Sequence, residues 1–251
     1  MPYEVTGSGR LAQNGPVLSV APARTTTAPA PELVRLVRDR LRGRQGPQLP
    51  RPQLSVLDEL VATVLSQHTS DRNSERAFAS LRRRFPAWQD ALAAPVTDLA
   101  DAIRAGGIAD RKARRIQEIL SRVASAEGRL DLERLRELPD AEAEGYLLSL
   151  PGVGPKTAAC VLAFAMGRAA FPVDTHVHRV TGRLGWIPPS AGADQAHRLL
   201  ARCVPADLRL DLHLALVAHG RAVCRARRPA CGACSLRDVC PYPGAAAATG
   251  P

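Results

Sequence analysis

Residues 150–164 read LPGVGPKTAACVLAF. Tyr146, Leu147, Leu148 and Leu150 form the apolar end of one helix, and Pro151 stops it. Gly152 permits a positive φ, and Gly154 lets the backbone come close to a partner. Pro155 suits the first turn of a second helix, where its missing N–H costs little. The stretch predicts two helices joined by a tight turn, Gly152-Val153-Gly154, with amide N–H groups turned outward. Such amides bind phosphate oxygens without reading bases. The small Ala158 and Ala159 let the second helix pack closely. Lys156 stands where the turn meets that helix. Of 34 lysines and arginines only two are lysine, Lys112 and Lys156. A chain that otherwise uses arginine keeps lysine here, which asks for a chemical reason.

Outward from this turn the apolar pattern has helical spacing nearly throughout. It predicts helices over 32–41, 74–85, 97–105, 112–126, 141–148, 156–166, 176–184, 193–203 and 208–222. A further one begins near Val56, where Ser55 and Asp58 could form a capping box. No strand run and no fixed repeat is visible, so the predicted class is all-α. Aromatics make up only 4% of the 251 residues against 45% hydrophobic, so the cores must be aliphatic. Residues 1–30, rich in Pro, Ala, Thr and Gly, read as a disordered leader, and 244–251 as a loose tail.

The formal charge is +10 and is spread along the chain. That favours a polyanionic partner, above all nucleic acid. No run of 18 apolar residues suggests a membrane span, and the first residues do not read as a secretory signal. An intracellular, reducing compartment is the expectation, and six cysteines there suit metal ligation or buried thiols better than disulfides. The Arg- and Ala-rich composition suggests a GC-rich bacterial genome, and with it a cytoplasmic, nucleoid-associated protein.

Two further stretches carry chemistry. In FPVDTHVHRV, Asp174 precedes a helical pattern and is a good helix N-cap. Near the C-terminal end, CRARRPACGACSLRDVC places Cys224, Cys231, Cys234 and Cys240 in a C-x6-C-x2-C-x5-C pattern. Such a set could hold zinc or an iron–sulfur cluster. Arg225, Arg227, Arg228 and Arg237 decorate this segment and suit phosphate contact. Cys160 and Cys203 lie on apolar helix patterns and read as buried thiols.

LPGVGPKTA resembles the helix-hairpin-helix motif of the DNA glycosylase superfamily that includes endonuclease III. The resemblance extends to the V-D-T-H stretch at the matching distance and to the cysteine spacing, and covers roughly 31–243. It implies that Lys156 is a catalytic lysine, that Asp174 is the catalytic aspartate as well as a cap, and that the four cysteines hold a [4Fe–4S] cluster. A lysine amine can attack C1′ of a sugar and form a Schiff base, whereas arginine stays protonated. A carboxylate stabilises oxocarbenium character as a glycosidic bond breaks.

The resemblance also implies two helical domains with DNA across the cleft. One spans 53–168 and contains the hairpin; the other combines 31–52 with 169–243 and carries the cluster. An extruded base leaves a gap that two loops fill. Ile108, in GGIADRKA, takes the position of an apolar wedge. In LSQHTSD the usual glutamine position is held by His68, with Gln67 one residue earlier, a departure from the pattern. His176 is expected to help position the helix and a phosphate. The implied enzyme is a monomeric bifunctional glycosylase/AP lyase acting on double-stranded DNA with damaged bases or abasic sites. The alternatives are an adenine-mismatch glycosylase, a non-catalytic DNA-binding module and a zinc-stabilised helical protein.

Overall fold

The computed structural model describes residues 28–45 and 53–242. The expected leader, apart from 28–30, the tail and the 46–52 segment lie outside the described residues. Eleven α-helices are described, with short 3-10 turns between some of them and no strand among the described residues. They are α1 Pro31–Gln45, α2 Val56–Ser66, α3 Asp71–Arg84, α4 Trp88–Ala93, α5 Val96–Ala102, α6 Ala109–Glu127, α7 Asp140–Ser149, α8 Pro155–Cys160, α9 Thr175–Arg183, α10 Ala193–Cys203 and α11 Arg209–Ala222. The all-α class expected from the sequence is what the fold shows. α4 is an addition: its single turn and a half is too short for a periodic signal. α8 continues as a π-helical stretch, Val161–Ala165, a local widening that often sits beside functional sites.

Two hydrophobic cores organise the chain. The first is built around α2, whose Leu57, Leu60, Val61 and Val64 meet Ile116, Ile119 and Leu120 of α6 and Ala158 and Val161 beyond the hairpin. The second joins Val34, Val37 and Leu41 of α1 to Phe171, Val177 and Val180 around α9 and to Leu212 and Leu216 of α11. Among the described residues the chain thus enters through the second core, builds the first, and returns after residue 170. Arg35–Asp207, Arg38–Asp211 and Arg42–Asp211 ion pairs line the return of α1, at 2.8, 3.1 and 2.7 Å. Exposed pairs contribute at most about 1 kcal/mol each, whereas burying each of Val34, Val37 and Leu41 contributes roughly 1.5–3 kcal/mol. Apolar burial therefore fixes α1, and the pairs trim its register.

Three helices begin with side-chain caps, at Ser55, Ser70 and Asp174. The Ser55 box is only half made. Ser55 Oγ accepts the Asp58 amide at 3.0 Å, but the Asp58 carboxylate accepts from Trp88 Nε1 at 2.9 Å. A tertiary donor on α4 has won that carboxylate from the local cap. Cys160 is buried as expected, while Cys203 is only half-buried, at the last residue of α10.

Candidate active site

The hairpin between α7 and α8 is shaped by its glycines. Gly152 has φ +69°, and a Cβ there would lie 2.5 Å from Arg115 Nε. The α6 guanidinium thus lies against the turn, where only glycine fits. The Val153 side chain is buried, and its amide donates to Leu150 O at 3.2 Å. Gly154 caps α8, and its carbonyl accepts the Ala158 amide at 3.0 Å. A Cβ on Gly154 would meet nothing within 4 Å. The space over Gly154 is open, so its glycine is not needed for internal packing.

Lys156 lies half-buried in the first turn of α8, one turn before the buried Cys160. The Cys160 thiol is pushed up in pKa, chiefly by burial. The Lys156 ammonium acts in the opposite direction, and the Glu59 and Asp174 carboxylates push the same way as burial. The charges of Lys156 on α8, Glu59 on α2 and Asp174 at the start of α9 are thus all felt at one buried sulfur.

Asp174 is held from both sides. Its Oδ1 accepts the Val177 amide at 2.7 Å, which makes it the N-cap of α9. Ahead of it, Pro172 O is bonded to Nδ1 of the buried His213 at 2.8 Å. The His213 ring meets Phe164 and Phe171 edge-on, at 5.8 and 6.4 Å between centroids. The segment leading into the carboxylate is thus anchored to α11.

Sequence reasoning did not single out Glu59, Thr63, Thr157 or the siting of Cys160. Thr63 Oγ1 donates to Glu59 Oε1 at 3.1 Å, and Gln67 Nε2 donates to Thr157 Oγ1 at 3.4 Å. A signal existed: Glu59 and Thr63 are polar residues one turn apart on the largely apolar helix α2.

The two loops expected to enter DNA carry unusual backbone. His68 has φ +54° and Ile108 φ +47°, and Arg228 in the cysteine segment has φ +51°. Left-handed conformations cost about 1–2 kcal/mol for residues with a Cβ, more for β-branched ones. Ile108 is also 49% exposed, the most open of the large hydrophobic side chains among the described residues. A strained, exposed isoleucine at a helix start gains nothing from the fold itself and fits an external partner.

The four cysteines line one narrow pocket together with Val180, Leu184, Leu236 and His219. Arg183 of α9 donates to Cys224 Sγ at 3.2 Å, to Arg225 O at 2.8 Å and to Ala226 O at 3.1 Å. Arg179 donates to Cys224 O at 2.9 Å and Gly220 O at 2.8 Å. The Leu236 amide lies 3.4 Å from Cys234 Sγ, and His219 Nε2 lies 3.6 Å from the same sulfur. Nitrogen donors around sulfur and an apolar wall suit thiolates that hold an iron–sulfur cluster. Burial raises the Cys234 and Cys240 thiols, a cost that metal ligation of the thiolates offsets. Among the described residues no three His, Cys, Asp or Glu side chains converge as ligands of a single ion. Arg225, Arg227 and Arg228 are exposed around the pocket, while Arg237 forms part of its wall. His176 lies in the seam between α9 and α11, with Nδ1 3.0 Å from Arg179 Nη2 and its Cβ against Gly220.

Comparison with known proteins agrees with this geometry. Residues 61–206 match the HhH-GPD superfamily base excision DNA repair protein family, and residues 224–240 match the iron-sulfur binding domain of endonuclease III. The chain belongs to the HhH-GPD superfamily of base excision DNA repair proteins. Within that class it is an endonuclease III-like DNA glycosylase with a [4Fe–4S] cluster, and the match to the iron–sulfur domain runs from Cys224 to Cys240.

Endonuclease III of Thermotoga maritima is 36% identical over 184 residues, spanning 73% of this chain and 81% of that one. An Arabidopsis thaliana protein with a provisional DNA-glycosylase name is 46% identical over 167 residues, but the match spans 66% of this chain and only 57% of the plant protein. The structure of a trapped endonuclease III–DNA covalent intermediate superposes with a TM-score of 0.73 at 27% identity, covering 85% of this chain and 96% of that one. Among the described residues no helix is long and apolar enough to cross a membrane.

Proposed function

We propose that this glycosylase is bifunctional, removing oxidised pyrimidines from duplex DNA and then cleaving the abasic strand through a Schiff base on Lys156. The observation that supports the reading is that Lys156 stands in the first turn of α8 beside the hairpin and Asp174 caps α9, and that the charges of both act on the buried Cys160 thiol. The Lys156 amine attacks C1′ while the glycosidic bond breaks. The base leaves with the bonding electrons and takes up a proton. The Asp174 carboxylate stabilises positive charge building at C1′. Its second oxygen is available to accept the proton that the new C–N bond releases. Opening of the sugar ring gives an iminium at C1′. Loss of a C2′ proton then expels the 3′ phosphate, and hydrolysis returns the lysine. Arginine has no lone pair to offer at neutral pH, which explains the rare lysine.

DNA lies across the cleft in this reading, and the protein acts as a monomer. The hairpin glycines, together with Arg115, and the exposed Arg225, Arg227 and Arg228 contact phosphates. Ile108 enters the stack, and Gln67 or His68 fills the space left by the extruded base. The cluster would be held by Cys224, Cys231, Cys234 and Cys240. It would supply a rigid scaffold for the loop that carries these arginines, since glycosidic cleavage transfers no electron. Thymine glycol, dihydrouracil and 5-hydroxypyrimidines are the expected lesions. The test is product analysis on a thymine glycol duplex: free thymine glycol together with a nicked strand is expected. Neither free base nor a nick on thymine glycol, with cleavage of an abasic duplex retained, would reduce the protein to a lyase.

A further inference from the structure

Lys112, the second of the two lysines, takes no part in the chemistry above. It sits in the first turn of α6, four residues after Ile108, and is only 4% exposed. Its ammonium donates to Leu65 O at 2.7 Å and to Gly106 O at 2.8 Å. The two carbonyls belong to different elements. Leu65 lies at the end of α2, just before Gln67 and His68. Gly106 closes a 3-10 turn, just before Ile108. Both are helix-end carbonyls, which regular helix bonding leaves without a donor. The joint is tightly packed: a Cβ on Gly106 would lie 3.1 Å from Ala77 Cβ. Burying an ammonium is costly, and burial lowers its pKa. An apolar side chain would avoid that cost but would leave both carbonyls unbonded. A guanidinium spreads its donors across a plane, whereas an ammonium offers three from a single atom.

Beyond this joint stand two of the three left-handed non-glycine residues among the described residues, His68 and Ile108. We propose that Lys112 is a positioning residue that locks the two DNA-inserting loops into one unit, so that residues 67–68 and Ile108 enter the duplex together. This rests on the assignment of those loops to the extruded-base gap. Lys112 touches neither sugar nor base; it acts through the backbone of both loops. Loop filling matters only where a duplex must be held open. A single-stranded abasic site needs Lys156 but no wedge.

The test uses the cluster-loaded protein, with Lys112→Met and Lys112→Gln beside wild type. Two readouts are taken: borohydride trapping on duplex and on single-stranded abasic DNA, and fluorescence of 2-aminopurine placed opposite the abasic site. Lys112→Met should lose about 10²-fold in duplex trapping, the scale for a misplaced site, and lose the 2-aminopurine signal at saturating protein. Its single-strand trapping should stay at the wild-type rate. Lys112→Gln, whose amide can reach one carbonyl, should fall between. Equal losses on duplex and single strand would reduce Lys112 to general folding and overturn the proposal. Wild-type duplex trapping and fluorescence in both variants would overturn it as well. The fluorescence needs no chemistry, so it judges Lys112 even if wild type forms no adduct; that separate failure would count against the Lys156 mechanism.

Discussion

Asp174 Oδ1 accepts the Val177 amide at 2.7 Å, so one oxygen of the proposed catalytic carboxylate also caps α9. The same helix carries Arg179 and Arg183, which hold the cysteine segment by its carbonyls. Catalytic group, helix cap and cluster loop are thereby one mechanical unit. The two duties of Asp174 can be separated. Asp174→Asn keeps an oxygen for the Val177 amide and should melt within about 0.5 kcal/mol of wild type. It should lose about 10²-fold or more in excision, on the scale of removing a transition-state charge partner. Asp174→Ala should lose the same activity and a further ~1 kcal/mol of stability for the missing cap. Calorimetry and single-turnover excision on the same samples check both.

Ile108 trades stability for contact with DNA. Glycine accepts its left-handed backbone without strain, so Ile108→Gly should raise stability by about 1 kcal/mol. The exposed side chain contributes little to the core, so its loss should not cancel that gain. Excision from a lesion duplex should fall. Thermal melts and excision rates read together check the opposing signs; a destabilised variant would mean that the side chain packs within the fold.

The turn at Gly152 leads to a salt-dependence test. Gly152→Ala forces a Cβ to within 2.5 Å of Arg115 Nε at a positive φ. It should cost about 1–2 kcal/mol and displace the guanidinium. If Arg115 and the turn grip one phosphate, the slope of log Kd against log salt should shrink by roughly 0.9. Titrations of abasic-analogue duplex at several salt concentrations measure this directly.

Arg183 tests what the cluster loop depends on. It holds Cys224 Sγ, Arg225 O and Ala226 O from α9 and stacks on Tyr242 at 4.6 Å. Arg183→Ala should leave the helical circular dichroism unchanged while the yellow-brown colour bleaches about 10–100-fold faster under chelator, the usual effect of losing an outer-shell partner. Iron and acid-labile sulfide should be found in wild type. A colourless protein containing zinc would contradict the cluster.

Acid stability should report on Glu127. Its carboxyl is held below the ordinary 4.5, first by the Arg134 hydrogen bond. The neighbouring Tyr146 phenol is pushed up to about 12, by burial and then by Glu127. A depressed folded-state pKa adds stability above pH 4.5 and loses it as pH falls through the lower folded value. Glu127→Gln should therefore melt lower than wild type at neutral pH, by about 1 kcal/mol for this partly exposed pair, and the two should converge in acid. Melting curves across pH 2–7 check the convergence.

Much of this site is legible in the chain because its parts are local. A hairpin is written in its prolines and glycines, a cap in Asp174, a metal-ligating loop in its cysteine spacing, with the cluster itself implied by the family resemblance. What is not legible depends on contacts between distant elements. Asp58 abandons its cap because Trp88 offers a donor from α4. Glu59 and Thr63 read as turns of a core helix until the fold brings α8 against them. Left-handed Ile108 runs against the preference of a β-branched residue, so no propensity would place it there. Lys112 stands out in composition, but its role as a tie between two loops exists only once α2 and α6 are packed.

The central claim is that Lys156 is the nucleophile. The direct measurement is borohydride reduction on a thymine glycol duplex, followed by mass mapping of the cross-linked peptide, for wild type and Lys156→Ala. One adduct carried by the peptide containing Lys156, and no adduct in the variant, is the predicted result. An adduct on another amine, or one that survives in Lys156→Ala, would contradict it.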